Sequence, residues 1–179
     1  MGMRIPKGYF ETAGVGESNN QHHAGSFHLA LRQAGIEMCN IMTYSSIMPD
    51  IAEKVERPEL RHGSVMEAII AREDTEMGKR ATAGIIYGWL HDKKTDERFG
   101  GLVCEYHGDL IVKDAREHLE ACLKELHVNG YEHYELKNKQ FLCNSFVPNK
   151  KFGTALVAIC FTSYLFPMLE DATLKTIKI

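Results

Sequence analysis

The chain has 179 residues, of which 44% are hydrophobic and 25% are charged, and its 21 Lys and Arg against 24 Asp and Glu give a net charge of −3. This size predicts a single domain over residues 1–179 and excludes two large domains. The near-neutral charge and the short apolar stretches argue against nucleic-acid and membrane partners, and they predict a soluble, cytoplasmic protein.

Two helices are predicted from apolar residues that recur three and four positions apart. The first begins at Ser26, a candidate N-cap, and stops at Gly35. The second runs from about Val112 to Val128, with one apolar stripe and charges on its other face. Residues 19–25 and the tail after Pro167 are predicted to be loops.

Most of the remaining chain has the composition of β-strands, because it is rich in β-branched, aromatic and small residues and is interrupted by turn residues. The predicted strands are Met38–Tyr44, Ser64–Arg72, Ala81–His91, Gly101–Tyr106, Glu132–Val147 and Phe152–Phe166. Several strands and two amphipathic helices predict an α+β protein, and the economical layering is a four-layer αββα sandwich with the helices outside two packed sheets.

Disulfides and a metal site are not expected. The chain has five cysteines, an odd number without a Cys-x-x-Cys pair, which predicts small buried side chains in a reducing compartment. The histidines His22, His23 and His28 lack a carboxylate or cysteine at ligand spacing, so they are interpreted as solvated loop residues.

One segment carries a resemblance to a known family. The run Asn40–Pro49, with its Ser45-Ser46 pair followed by Ile47-Met48-Pro49, resembles the self-cleavage segment of the pyruvoyl-dependent arginine decarboxylases. Three further segments resemble the family's Gly-rich turn, catalytic strand and C-terminal strand: Gly14–Ser18, Gly100–Tyr106 and Lys151–Gly153. Order and spacing agree over roughly residues 14–166. From the residues alone, a strand end with a Ser-Ser turn would be the simpler interpretation.

The resemblance implies that the chain is a proenzyme cut between Ser45 and Ser46. The Ser46 hydroxyl would attack the preceding carbonyl, and elimination of the resulting ester would convert Ser46 into a pyruvoyl group, the enzyme's own cofactor. The products would be a small fragment, residues 1–45, and a large fragment, residues 46–179. The family's asparagine near the cut falls on Asn40, which is expected to donate to the oxyanion during cleavage.

The resemblance also assigns the roles in decarboxylation. A pyruvoyl ketone condenses with the substrate amine and takes up the electrons left by carbon dioxide, so no external cofactor is expected. The family's general acid falls on Glu105, and its position between Cys104 and Tyr106 predicts partial burial and a raised pKa. A glutamate on the solvated face of an alternating strand is the alternative. Ile47, next to the serine pair, is expected to contact the substrate.

The substrate is left open by one departure from the family. Arginine-specific members have an aspartate on the first helix, eighteen positions before the pyruvoyl serine, and this chain has His28 there. An imidazole cannot form the bidentate pair that a carboxylate makes with a guanidinium. Glu17, in the Gly-rich turn expected to line the substrate pocket, could supply the missing charge. Otherwise a neutral or acidic amino acid would be the substrate.

On the strength of the overall match, arginine decarboxylation to agmatine is expected. The resemblance also implies a homotrimer or a dimer of trimers with the active site at a subunit interface. The chain alone gives no independent support for that stoichiometry, although closed cyclic assemblies are common. The alternative from another class is a non-catalytic, unprocessed homologue that acts as a binding or assembly module.

Overall fold

The computed structural model describes residues 4–20 and 23–167 of the chain. The predicted tail after Pro167, and His22, therefore lie outside the described residues. The two helices are α1 (His23–Ala34) and α2 (Val112–Gly130). The strands are β1 (Ile5–Pro6), β2 (Gly8–Ser18), β3 (Asn40–Thr43), β4 (Ile47–Pro49), β5 (Glu53–Lys54), β6 (Val65–Glu76), β7 (Ala81–Asp92), β8 (Arg98–Gly108), β9 (Tyr134–Phe146), β10 (Phe152–Phe161) and β11 (Tyr164–Leu165).

Nine of the eleven strands in the described ranges form two sheets. One has five strands in the order β3-β6-β10-β2-β5, and the other has four strands in the order β4-β8-β7-β9. The strand β10 is antiparallel to both of its neighbours, β2 and β6, while β3 runs parallel to β6 at the sheet edge. The short strands β1 and β11 pair with each other. The predicted α+β class is confirmed.

Three apolar clusters hold these elements together. One contains inward-facing residues of both sheets, among them Ile69, Ile85 and Val157, together with the aromatic residues Tyr87 and Trp89. A second joins α1 to the five-stranded sheet, and a third joins α2 to the four-stranded sheet. Each helix therefore buries one apolar stripe against its own sheet, as amphipathic helices do.

The Gly-rich segment is a strand, and the prediction of a turn there was wrong. Gly14 and Gly16 lie in β2, where a Cβ atom would approach the Ala30 carbonyl oxygen and the Ser26 carbonyl oxygen respectively to 2.1 Å. The two glycines thus allow the backbone of α1 to pack directly on β2. Glycines also removed the alternation of apolar and polar residues by which a strand is recognised, which is why the sequence did not predict β2.

The first helix begins earlier than predicted. Ser26 lies inside α1 and is fully buried, with its hydroxyl hydrogen-bonded to the His23 carbonyl and 2.8 Å from the Thr154 hydroxyl. It is therefore a packing residue and not the N-cap. The predicted stop is confirmed, because Gly35 follows the helix with a φ of +70°, a conformation that glycine adopts without strain.

The serine pair lies on the connection between the two sheets. The strand β3 belongs to the five-stranded sheet and β4 to the four-stranded sheet, so the chain crosses from one to the other through residues 44–46. Tyr44 is still tied to the first sheet by its N–H, which donates to the Ala68 carbonyl at 2.8 Å. Ser46 already belongs to the second, because its carbonyl accepts from the Val103 N–H at 3.1 Å.

All five cysteines are free, and Cys39, Cys104 and Cys160 are buried. Across the described ranges 4–20 and 23–167, neither helix is long and apolar enough to cross a membrane.

Candidate active site

The structure brings Ser46 and Glu105 together. The Ser46 hydroxyl lies 2.9 Å from Oε1 and 2.8 Å from Oε2 of Glu105, although the residues are 59 positions apart in the chain. Both are half-buried. The contact arises because the chain enters β4 beside β8, where Ile47 pairs with Leu102 and Met48 with Gly101.

These two side chains open into a pocket of about 650 Å³. Its lining comes from residues 45–47, residues 102–105 of β8, the C-terminal half of α2 and Tyr131. Consecutive residues of a strand point to opposite faces. Because four consecutive residues, 102–105, line the pocket, it lies along an edge of β8 and not on one face. This is the edge that pairs with β4 only at residues 100–102. The pocket extends from Ser46 to α2.

The electrostatic environment of Glu105 favours its neutral form. Burial raises the pKa of the Glu105 carboxyl, and the hydrogen bond from Ser46 lowers it by a smaller amount. The net shift is upward, as its position between apolar neighbours predicts. Such a carboxyl can hold a proton closer to neutral pH than an exposed glutamate does.

Ser45 and Ile47 also line the pocket, and both are exposed, Ile47 by 55% of its surface. Asn40 is not part of it. Its side-chain amide donates to the Gly63 carbonyl at 3.1 Å, and the residue is exposed at the start of β3. The single chain therefore does not place this amide beside the Ser45 carbonyl, and its role in cleavage stays a prediction.

His28 and Glu17 lie elsewhere on the molecule. His28 is exposed on α1, which packs on the five-stranded sheet, whereas the pocket is built on the four-stranded one. Glu17 is on β2, and its carboxylate accepts a hydrogen bond from the Asn149 N–H at 2.8 Å. Neither residue lines the Ser46 pocket in this chain. The interpretation of His23 and His28 as loop residues was wrong, because both lie in α1. His23 is the first residue of the helix and packs edge-on against Phe152 at 4.7 Å between ring centres.

The sequence did not predict that α2 contributes to the site. Cys122, Glu125, Leu126 and Asn129 lie three and four positions apart, so they form one face of the helix, and this face lines the pocket. The helical spacing was visible in the sequence, but no signal showed which element this face would meet. Among residues 4–20 and 23–167, no group of three or more His, Cys, Asp and Glu side chains is arranged to hold a metal ion.

Several known proteins are similar in sequence to this chain. The chain is 36% identical over 121 residues to pyruvoyl-dependent arginine decarboxylase 1 of Archaeoglobus fulgidus, which covers 65% of this chain and 73% of the relative. It is 35% identical over 107 residues, 58% of this chain, to a protein of Chlorobaculum parvum named "Probable pyruvoyl-dependent arginine decarboxylase". It is 34% identical over 118 residues, 56% of this chain, to the pyruvoyl-dependent arginine decarboxylase of Methanococcoides burtonii.

The chain spans 56% of the Chlorobaculum protein and 64% of the Methanococcoides protein. The model of the pyruvoyl-dependent arginine decarboxylase family matches residues 8–166, from the second strand to the end of the described core. This range includes the Ser45-Ser46 pair, Glu105 and α2. The chain therefore belongs to the pyruvoyl-dependent arginine decarboxylase family.

Proposed function

We propose that this protein is a pyruvoyl-dependent arginine decarboxylase, a carboxy-lyase that is made as a proenzyme and cuts itself between Ser45 and Ser46. The observation that carries the proposal is the contact of the Ser46 hydroxyl with both oxygens of Glu105 at the pocket. Family membership gives the reaction, the decarboxylation of arginine to agmatine.

Self-cleavage uses the chain's own groups. The Ser46 hydroxyl oxygen attacks the Ser45 carbonyl carbon, the peptide C–N bond breaks, and an ester joins the two residues. Elimination then releases the Ser45 carboxylate, and hydrolysis with loss of ammonia leaves the new carbonyl at position 46. Ser45 is exposed and Ser46 is held at its carbonyl by the Val103 N–H, so the cut falls in a connection that is anchored on its C-terminal side.

Position 46 is suited to hold a pyruvoyl group. Its backbone is fixed against β8, and its side chain opens into a pocket with room for an amino acid. When formed there, the group supplies a ketone that condenses with the substrate amine and accepts the electron pair released with carbon dioxide. Glu105, within hydrogen-bond reach of atoms at position 46 and with a raised pKa, delivers the proton to the α-carbon.

The charge of the pocket favours a cationic amino acid over an acidic one. Besides Glu105, whose environment favours the neutral form, the lining has the acidic side chain Glu125, and no Lys, Arg or His is among the described residues of the lining. The apolar side chains beside them, such as Leu102 and Leu126, suit an aliphatic chain. Arginine combines an aliphatic stem with a cationic end, whereas aspartate or glutamate would meet like charge.

Three finer features belong to the same proposal. The layers are those of a four-layer αββα sandwich, with α1 and α2 on the outer faces, which the three apolar clusters support. The five free cysteines support a cytoplasmic location. We propose that residues 1–179 form one domain, within which residues 1–45 and 46–179 are the two fragments.

We also propose that the enzyme is a homotrimer, alone or stacked in pairs, with the active site between subunits. Asn40 and His28 are exposed and outside the Ser46 pocket of their own chain, so a neighbouring copy can supply them to it. Large apolar side chains are exposed on the strands next to the serine pair and on the neighbouring strand β6: Met42 of β3 at 53%, Ile47 of β4 at 55% and Val65 of β6 at 59%. They support a contact surface between subunits there.

The first experiment compares the wild type with Ser46→Ala by denaturing electrophoresis and intact mass. Two fragments in the wild type, with a blocked N-terminus at residue 46, and one intact chain in the variant are expected. Carbon dioxide release is then measured over a panel of amino acids, with arginine expected to be the substrate. A wild-type chain that stays intact and inactive would favour the binding or assembly module.

The shared site is tested by co-expression of two defective chains. Asn40→Ala carries an intact Ser46, and Ser46→Ala carries an intact Asn40. If Asn40 acts across the interface, Asn40→Ala chains expressed alone are cut slowly, and Ser46→Ala chains accelerate their cleavage in mixed trimers. If Asn40→Ala chains are cut at the same rate alone and with Ser46→Ala chains, the shared site is contradicted.

A further inference from the structure

The pocket at Ser46 has a second carboxylate that the proposed chemistry does not use. Glu105 is already at the reacting end, in contact with the Ser46 hydroxyl. Glu125 lies on α2 and lines the same pocket. Within residues 4–20 and 23–167, the Glu125 side chain makes no ion pair and no hydrogen bond with another side chain, whereas Glu117 and Glu120 of the same helix pair with Lys113 and Arg116. Glu125 is therefore an unpaired acidic side chain in a pocket whose described lining holds no Lys, Arg or His.

The other residues considered for the substrate's charged end are less suited to a guanidinium. The Glu17 carboxylate accepts from the Asn149 backbone, and His28 cannot offer paired acceptors to a guanidinium. Glu125, by contrast, has both oxygens available, and its helix neighbour one turn on, Asn129, adds an amide to the same face.

We propose that Glu125 determines the specificity for arginine by pairing with the guanidinium of the substrate. The inference rests on the proposed decarboxylase function. The α-carbon end lies at Ser46 and Glu105, the methylenes lie along the apolar lining that includes Leu126, and the guanidinium meets Glu125 on α2. A carboxylate accepts two parallel N–H donors from a guanidinium, which a lysine ammonium or a neutral urea does not match.

The test replaces Glu125 with its neutral isostere. Glu125→Gln is expected to form both fragments as the wild type does, because the residue does not touch the Ser45-Ser46 bond. Its KM for arginine should rise by about 10–100-fold, the value of a hydrogen-bonded charge pair, with kcat changed by much less. Binding of agmatine to the processed protein, measured by calorimetry, should weaken by the same factor.

Citrulline, a neutral analogue of arginine with the same length, distinguishes an effect of the Glu125 charge from an effect of pocket shape. The preference of the wild type for arginine over citrulline should fall in Glu125→Gln by the factor seen in KM. A general distortion of the pocket would weaken both compounds and leave their ratio unchanged. Glu117→Gln, which removes a charge from the solvent side of the same helix, is the matched control and should leave both constants unchanged.

The outcomes distinguish this inference from the proposed function. Glu125→Gln that is processed and binds arginine and agmatine as tightly as the wild type overturns the role of Glu125 and leaves the decarboxylase intact. A wild-type protein that releases no carbon dioxide from arginine overturns the function itself. If Gln at this position prevents folding, Glu125→Asp keeps the charge on a shorter stem. It should raise the KM for arginine several-fold, and an unchanged KM contradicts the proposal.

Discussion

The Ser46 hydroxyl contacts both carboxylate oxygens of Glu105, at 2.9 and 2.8 Å, across the junction of β4 and β8. A donor shared by two oxygens lies close to the plane that bisects the carboxyl group, so the carboxyl faces position 46. A pyruvoyl group formed at position 46 would therefore lie within reach of a proton on Glu105. We propose that these two residues form the chemical centre of the enzyme.

Replacing Glu105 with Gln should separate processing from turnover. The amide oxygen can still accept the Ser46 hydrogen bond, so cleavage into two fragments should proceed. An amide is too weak an acid to protonate the α-carbon, so kcat should fall by about 10²–10⁴-fold. The measurement is carbon dioxide release from arginine, with Glu97→Gln, an exposed residue just before β8, as the charge control. Full activity of Glu105→Gln would mean that another group is the acid.

The raised pKa of Glu105 also predicts a dependence of stability on pH. The folded chain holds the Glu105 proton to a higher pH than the unfolded chain does, so this carboxyl lowers the stability as the pH rises through that window. Glu105→Gln removes the effect. The comparison uses the unprocessed Ser46→Ala chain with and without Glu105→Gln. Above the ordinary glutamate pKa of about 4.3, the double variant should have the higher free energy of unfolding. This difference should grow with pH and level off above the pKa of Glu105 in the folded chain. Urea unfolding from pH 4 to pH 8 measures it, and a gain independent of pH contradicts the shift.

The two fragments should remain together after cleavage. In the five-stranded sheet, β2 of the small fragment lies between β10 and β5 of the large one, and β3 pairs with β6. Cutting the chain between Ser45 and Ser46 breaks none of these ladders. We expect both fragments to elute as one species in gel filtration under native conditions and to separate in denaturant. Loss of residues 1–45 under native conditions would show that the sheet does not hold them.

The close packing of α1 on β2 predicts that Gly16→Ala destabilises the protein. The added Cβ would approach the Ser26 carbonyl oxygen to 2.1 Å and the Ala30 nitrogen to 2.4 Å, both backbone atoms that cannot rotate away. Overpacking of this kind costs about 1–3 kcal/mol or more of the free energy of unfolding. Gly130→Ala, where nothing lies within 4 Å of the new atom, is the control and should change it by less than about 0.5 kcal/mol. Equal stabilities of the two variants would show that α1 can shift away.

Much of the secondary structure could be predicted from the sequence, because local periodicity reports which face of an element is buried. The strand predicted at Ala81–His91 is β7, and the helix predicted from Val112 is α2. The single strand predicted over Phe152–Phe166 is two, β10 and β11, because residues 162 and 163 leave the sheet. The strand β2 was not predicted because it contains Gly14 and Gly16, which interrupt the strand pattern. These glycines are needed where α1 packs closely on β2, and the sequence does not show which element packs there.

The sequence by itself determined the α+β class, the positions of most strands and, through the resemblance of the Asn40–Pro49 and Gly100–Tyr106 segments, the family and the candidate pair Ser46 and Glu105. These features depend on contacts between near neighbours or on motifs read in order along the chain. Only the tertiary structure decided that Ser45-Ser46 lies on the crossing between the two sheets, that Glu105 meets Ser46, and that Glu125 of α2 completes the pocket while Glu17 does not. These relationships depend on strand order and on which helix covers which sheet. Both are set by the burial of apolar faces over the whole chain, and no local stretch of sequence contains them.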